Sequence, residues 1–146
     1  MGVRQHGFTL VEVVVVIVIL TVVSAIAISR YATYTREARI AALNGLAGAI
    51  RSSVVIVQAR FVATGATTSP VTLAGGTTVA VGTAGTARGV PRSNAGGISN
   101  AVNVGGTFVY SAGGAVGTYN FPTPIANCNV RYTAATGTVT IVSAGC

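Results

Sequence analysis

The chain has 146 residues, the length of one ordinary domain, but only 8% of them are charged and the mean hydropathy is +0.69. Nine arginines against two glutamates give a net charge of +7, and the 19 glycines and 51% of apolar residues exclude a charged disordered tail and a lysine-rich coiled coil. This composition is too apolar for an ordinary soluble domain. We therefore expect part of the chain to contact a membrane or a partner protein.

Catalytic and metal-binding chemistry has few candidate residues here. The only acids are Glu12 and Glu37, the only histidine is His6, and the cysteines Cys128 and Cys146 are far from all three along the chain. General acid–base catalysis and metal binding each need several such groups together. We therefore predict that the protein is not an enzyme and that it uses no metal or cofactor.

The first element is a long apolar segment. Residues 8–29 read FTLVEVVVVIVILTVVSAIAIS, with Glu12 as the only charged side chain. As a helix this segment would be about 33 Å long and would span a hydrocarbon core of about 30 Å. Lipid favours a helix even in Val- and Ile-rich sequence, because backbone groups must pair within the segment. We predict a membrane-spanning helix.

The helix is predicted to continue through residues 30–64 as an amphipathic half that ends near residues 63–65. Apolar side chains recur there at spacings of three and four, which places them on one face, while the arginines lie off that face. This stripe should pack against another part of the chain. Its members are Ile40, Leu43, Ala47, Ile50, Val54, Val57 and Phe61.

Residues 65–146 form the last region, rich in Gly, Thr, Ala and Ser, with turn signals every few residues. We expect short strands and no further helix, and the apolar face of the sheet should pack on the helix stripe. The predicted fold class is α+β, with a long N-terminal helix on a small antiparallel sheet. The predicted strands are residues 77–81, 107–110, 129–133 and 138–142, the last two joined by a tight turn at 134–137.

Two cysteines bracket the last predicted hairpin. A disulfide between Cys128 and Cys146 would close a loop of 19 residues and stabilise the fold by about 3 kcal/mol. Two free buried thiols are the alternative. A membrane-spanning N-terminus indicates that the rest of the chain lies outside the cytoplasm. Because disulfides persist in oxidising compartments, we favour the disulfide.

Three interpretations compete for residues 1–30. A secretory signal would explain Arg4, the apolar run and a small-residue cleavage site at residues 25–27, but cleavage there would divide a continuous helix. A plain membrane anchor leaves Glu12 unexplained, since a carboxylate in lipid is costly. The third interpretation depends on a local motif around that glutamate.

The motif is the string GFTLVE at residues 7–12, which follows a short basic leader and precedes the apolar run. It closely resembles the N-terminus of type IV prepilins, in which a glycine, the phenylalanine after it and a glutamate four residues later stand in this order. The sequence of helix, Gly-rich region, sheet and C-terminal cysteine loop is most similar to pilins of the mannose-sensitive haemagglutinin type.

The resemblance implies that prepilin peptidase cleaves between Gly7 and Phe8, removes residues 1–7 and methylates the new amine of Phe8. His6 would then be lost with the leader. Glu12 would neutralise a terminal amine during filament assembly, which is physically reasonable because an unpaired carboxylate and ammonium are each costly in an apolar bundle. The precursor would be held in the inner membrane, and the assembly machinery would polymerise it into an extracellular helical filament of identical subunits.

The function implied is therefore the major subunit of a type IV pilus, used for adhesion, motility or DNA uptake. A pseudopilin of a type II secretion system shares the N-terminal chemistry, but such subunits commonly bind calcium in the head, and no acid follows Glu37 here. A monomeric membrane-anchored adhesion domain is a third possibility.

Two further expectations concern particular residues. Arg88, Arg92 and Arg131 could form a basic surface that binds DNA non-specifically, because clustered cations release counterions. Many pilins also carry a helix-breaking glycine and proline where this chain has Thr21 and Ser29. We therefore expect its helix to be more continuous.

Overall fold

A computed structural model describes residues 7–146. The predicted leader residues 1–6, with Arg4 and His6, lie outside the described residues. The chain divides into two compact units, Met1–Ala38 and Arg39–Cys146, and one helix contributes residues to both.

Helix α1, Leu10–Ala63, is a continuous α-helix of 54 residues. It passes through positions 21 and 29 without a break, as expected from residues that do not interrupt a helix, and the Thr21 hydroxyl donates to the Val18 carbonyl at 2.7 Å. The helix ends inside the predicted range because Gly65 adopts a left-handed conformation (φ +61°). The amides of Gly65 and Ala66 then donate to the carbonyls of Val62 and Phe61, which satisfies the last turn.

The second unit contains two antiparallel sheets. A two-stranded sheet pairs β1, Val71–Thr72, with β2, Thr78–Val79. A four-stranded meander follows in the order β3-β4-β5-β6. Between the two sheets lie a short 3-10 turn and a four-residue helix, α2. The bounds are Gly85–Ala87 for the turn, Ile98–Ala101 for α2, Val109–Gly113 for β3, Val116–Asn120 for β4, Asn129–Thr133 for β5 and Thr138–Val142 for β6.

Some of the predicted elements are present at the expected residues, and others are shifted or were missed. The α+β class and the last hairpin are confirmed, with β5 and β6 at the predicted residues. The strand expected at 77–81 is shorter, and the one expected at 107–110 lies two residues later. The expectation of no helix after residue 65 is wrong, since the 3-10 turn and α2 both form there. Strands β1 and β4 were not predicted.

The main core lies between α1 and the inner face of the meander. The register places Tyr119 beside Val130, and Tyr132 beside Val139, so these side chains point to one face and are buried. The helix stripe covers them as predicted, although Ile40 is only half-buried. The helix contributes Leu43, Leu46, Ala47, Ile50 and Val54 to this cluster.

The lower end of the predicted stripe packs elsewhere. Val57 and Phe61 form a second cluster with Val71, Val79 and Val81, on the two-stranded sheet rather than the meander. The sequence-based expectation of a single sheet under the whole stripe is therefore wrong. A helix this long extends past one small sheet, and the β1–β2 ribbon covers the remaining turns.

The disulfide between Cys128 and Cys146 is present, with the two Cα atoms 4.9 Å apart, and no cysteine is free. Cys128 is fully buried in the main core. The alternative of two free thiols is wrong. The bond fastens the segment after β6 to the segment before β5.

Candidate processing and assembly site at the N-terminus

The predicted cleavage site precedes the first helical residue. Gly7, Phe8 and Thr9 lie outside the helix, and Phe8 is 72% exposed. A side chain built at Gly7 would meet nothing within 4 Å, so packing within the described residues does not require a glycine there. The peptide bond between Gly7 and Phe8 is thus in accessible, non-helical backbone.

Thr9 and Glu12 together close the first turn of α1. The Glu12 amide donates to the Thr9 hydroxyl at 3.3 Å, and that hydroxyl lies 3.5 Å from Glu12 Oε2. This is the arrangement of a helix N-cap followed three residues later by a glutamate. Sequence reasoning missed the role of Thr9, although the Thr-x-x-Glu spacing was the available signal.

Glu12 is exposed in the first turn, where the helix dipole favours a negative charge. Within the described residues its side chain forms no ion pair, and the carboxylate's only hydrogen-bonding contact is to the Thr9 hydroxyl. The carboxylate is therefore positioned by the cap and remains accessible to a cation from another molecule.

The surface of α1 after this turn is an uncovered apolar cylinder. From Phe8 to Ile28 the large apolar side chains are between 43% and 80% exposed. The helix is long and apolar enough to cross a membrane, and none of its most apolar window is buried in the protein. Tyr31 and Tyr34 follow directly and are also exposed. Tyrosines at the end of an apolar helix are typical of a membrane–water interface.

The three arginines of the predicted DNA-binding surface do not line one site. Arg88 lies over the Phe61 ring, 5.7 Å from its centroid, and lines one depression. Arg92 lines a second depression, and Arg131 a third on the outer face of the meander.

Most other arginine contacts in the second unit are to backbone carbonyls. This unit contains no acidic side chain, because Glu12 and Glu37 both precede residue 39. Guanidinium groups of this unit therefore pair with main-chain oxygens. The bonds run from Arg39 to Cys146, from Arg51 to Val139, from Arg60 to Thr72 and from Arg92 to Val81, at 3.1–3.2 Å.

An accessible bond between Gly7 and Phe8, a capped glutamate turn and an uncovered apolar helix together fit a precursor that is anchored in a membrane by its N-terminus. Residues 3–28 match a family model described as the prokaryotic N-terminal methylation motif. This motif is typical of type IV pilin-like prepilins and implies processing by prepilin peptidase. The match concerns the leader and the apolar helix, not the sheet. No curated protein and no solved structure matches the chain.

Proposed function

We propose that this chain is the major structural subunit of a type IV pilus. Prepilin peptidase cleaves it between Gly7 and Phe8 and methylates the new amine, and the N-terminal helix then polymerises into an extracellular filament. The observation that carries the proposal is the methylation motif at residues 3–28 on a helix whose apolar surface is uncovered. Within this class, the order of elements favours the mannose-sensitive haemagglutinin type.

The exposed helix explains how one surface can serve both the membrane and the filament. In the bilayer, acyl chains contact the Val- and Ile-rich side chains, and in a filament the same side chains contact their copies in other subunits. Exchange between these two apolar environments costs little hydrophobic free energy. Repetition of one heterologous contact with a non-closing rotation then produces a fibre.

Glu12 supplies the polar part of this contact. After cleavage the amine of Phe8 lies one helical turn before the carboxylate in the sequence, and the same two groups recur in every subunit. A carboxylate and an ammonium ion that enter an apolar bundle stabilise it only when they are paired. The pair would fix the axial register between neighbours. We propose no catalytic role, since two carboxylates on one helix offer no acid–base constellation.

The processing step is tested by intact mass spectrometry with N-terminal fragmentation. Protein sheared from cell surfaces and protein in the envelope fraction are analysed separately. The expected chain in the sheared fraction begins at Phe8, is one methyl group heavier than residues 8–146 and is two hydrogens lighter because of the disulfide. A chain that begins at Met1, or after Ala27, contradicts the proposal. A mature chain confined to the envelope identifies a pseudopilin instead.

The assembly step is tested with the two glutamates as a matched pair. Glu12→Ala should be cleaved normally, yet the amount of sheared filament should fall by about tenfold or more, because an unpaired ammonium would remain in the bundle. Glu37→Ala removes the same charge from the same helix and should leave filament yield unchanged. Equal losses in both variants, or normal filaments from Glu12→Ala, would remove Glu12 from the assembly contact.

A further inference from the structure

A surface cavity in the second unit belongs to neither cleavage nor assembly as described above. Its volume is about 490 Å³, within the range of about 300–1,000 Å³ typical of small-molecule sites. One wall is the segment from Gly82 to Asn94, and the other consists of two hairpin turns, at Gly114 and at Ala134 and Ala135. Because most lining side chains are small, the backbone of three separate segments forms the walls.

Hydrogen bonds from side-chain hydroxyls to backbone carbonyls hold these walls in place. The Ser93 hydroxyl donates to the Gly114 carbonyl, and the Thr86 hydroxyl donates to the Ala135 carbonyl at 3.3 Å. Gly82 is required where it stands, since a side chain there would overlap the backbone of Ala87. The cavity is thus formed before any ligand arrives, which lowers the entropy lost on binding.

Arg92 is the only charged residue that lines the cavity. Its amide donates to the Ala80 carbonyl and its carbonyl accepts from the Ile98 amide, both at 2.8 Å. Its Nε donates to the Val81 carbonyl at 3.1 Å, which orients the guanidinium plane. Within the described residues its two terminal nitrogens have no hydrogen-bond acceptor.

The positive charge of Arg92 is not neutralised within the unit. The six arginines of Arg39–Cys146 face no acidic side chain of their own unit, as both glutamates precede it. A guanidinium with free terminal N–H groups binds a carboxylate in two parallel hydrogen bonds. The cavity therefore favours an anion at this point.

Neutral polar groups line the cavity beside this cation. The side chains of Thr83 and Asn94 are exposed and form no hydrogen bonds to other described residues. A hydroxyl and a carboxamide both donate and accept, which matches the hydroxyl groups of a sugar. The lining has no aromatic side chain on which a nucleobase could stack, and a single cation does not track a phosphate backbone.

We propose that this cavity binds an acidic saccharide, with a ring carboxylate on Arg92 and ring hydroxyls on Thr83 and Asn94. The site lies wholly within residues 82–135, so it does not depend on filament formation. If the saccharide did not bind, the proposed pilus function would be unaffected. If the chain did not form a pilus, the proposed saccharide site would be unaffected.

The test uses the full-length chain in detergent micelles, with its disulfide intact, and an NMR titration of trigalacturonate. The fully methyl-esterified trigalacturonate is the matched neutral probe. We expect the acid to bind and the ester to bind about tenfold more weakly or not at all. Arg92→Gln should weaken binding of the acid by about tenfold or more, and Asn94→Ala by about fivefold.

Arg131→Gln is the matched control, because it removes the same charge from an exposed position outside the cavity. It should leave the affinity unchanged. Asn94 has no side-chain hydrogen bond to lose, so that variant keeps the test valid if Arg92→Gln unfolds. No binding of the acid, equal binding of acid and ester, equal losses in Arg92→Gln and Arg131→Gln, or displacement of the acid by a duplex oligonucleotide would each overturn the proposal.

Discussion

The two halves of helix α1 are both rich in apolar residues but have opposite surroundings. Val14 in the first half is 49% exposed, whereas Val54 in the second half is 6% exposed in the main core. The first half is apolar on every side, so its sequence does not mark one face as the face that packs inside the protein. The second half alternates, and its apolar face meets a sheet. A helix that is apolar all round needs a partner outside its own chain, while an amphipathic helix finds one within it.

The largest expected effect comes from removing the first half. A chain that begins at Arg36 should stay folded and monomeric in water, because both hydrophobic clusters consist of residues from position 42 onward. The full-length chain should need detergent or lipid. Tyrosine circular dichroism in the near ultraviolet and analytical ultracentrifugation would measure this. A shortened chain that aggregates or loses its tyrosine signal would show that the second unit depends on the first.

The next effect compares two isoleucines on different faces of the second half. Ile50 is fully buried and Ile56 is 59% exposed. Ile50→Ala should lower the free energy of unfolding by about 2–5 kcal/mol, through lost burial and a cavity. Ile56→Ala should change it by less than about 0.5 kcal/mol. Denaturant unfolding of the chain that begins at Arg36 provides the measurement. Similar losses in the two variants would mean that the exposed face is also packed.

A smaller effect is expected at alkaline pH. Burial raises the pKa of Tyr119 and of Tyr132 well above the ordinary value near 10. The folded state therefore keeps protons that the unfolded chain releases, so stability is present below pH 10 and is lost as the pH rises above it. The loss should be about 1 kcal/mol for each tyrosine between pH 10 and pH 11.

Tyr132→Phe is the control for this pH dependence. The variant loses the hydrogen bond from the Tyr132 hydroxyl to the Pro91 carbonyl, 2.6 Å long, and should be less stable at neutral pH. Its stability should, however, fall less steeply above pH 10 than that of the parent chain. An unchanged slope in denaturant midpoints against pH would exclude Tyr132 as a source of the alkaline instability.

The smallest effect concerns the arginines of the second unit, which donate hydrogen bonds to backbone carbonyls instead of pairing with acidic side chains. Arg51→Gln removes a bond to the Val139 carbonyl, 3.2 Å long, and should cost about 0.5–1.5 kcal/mol. Arg131→Gln removes an exposed cation that forms no hydrogen bond within the described residues, and should be neutral. Because no acid in this unit is involved, the difference between the variants should persist in high salt. Its disappearance there would indicate a long-range charge effect.

The features that could be predicted from sequence depend on near neighbours along the chain. The helix end at Ala63, the stripe from Leu43 to Phe61 and the hairpin of β5 and β6 all follow from spacing and turn residues. The same holds for the GFTLVE string at residues 7–12. Such signals need no knowledge of what lies across the fold.

The missed strand β4, Val116–Asn120, shows where local signals end. Gly117 weakens its strand pattern, yet the Tyr110 ring packs directly on that position, so a side chain there would require Tyr110 to move. A Gly–Gly turn before the strand was the available signal. The strand is stabilised mainly by pairing on both sides, with β3 and β5, and this is decided by tertiary contacts.

The sequence by itself thus determined the long helix, its amphipathic half, the disulfide between Cys128 and Cys146 and the processing motif. Each of these is a local pattern of apolar, small or reactive residues. Only the tertiary structure decided which sheet each turn of the helix meets and where the arginines lie. Arg92 and Gly114 are brought to one cavity by hydrogen bonds to the backbone carbonyls of distant segments, from the Ser93 hydroxyl to Gly114 and from the Arg92 amide to Ala80. Almost every residue carries a backbone carbonyl that can accept such a bond, so residue identity alone does not show which carbonyl is used.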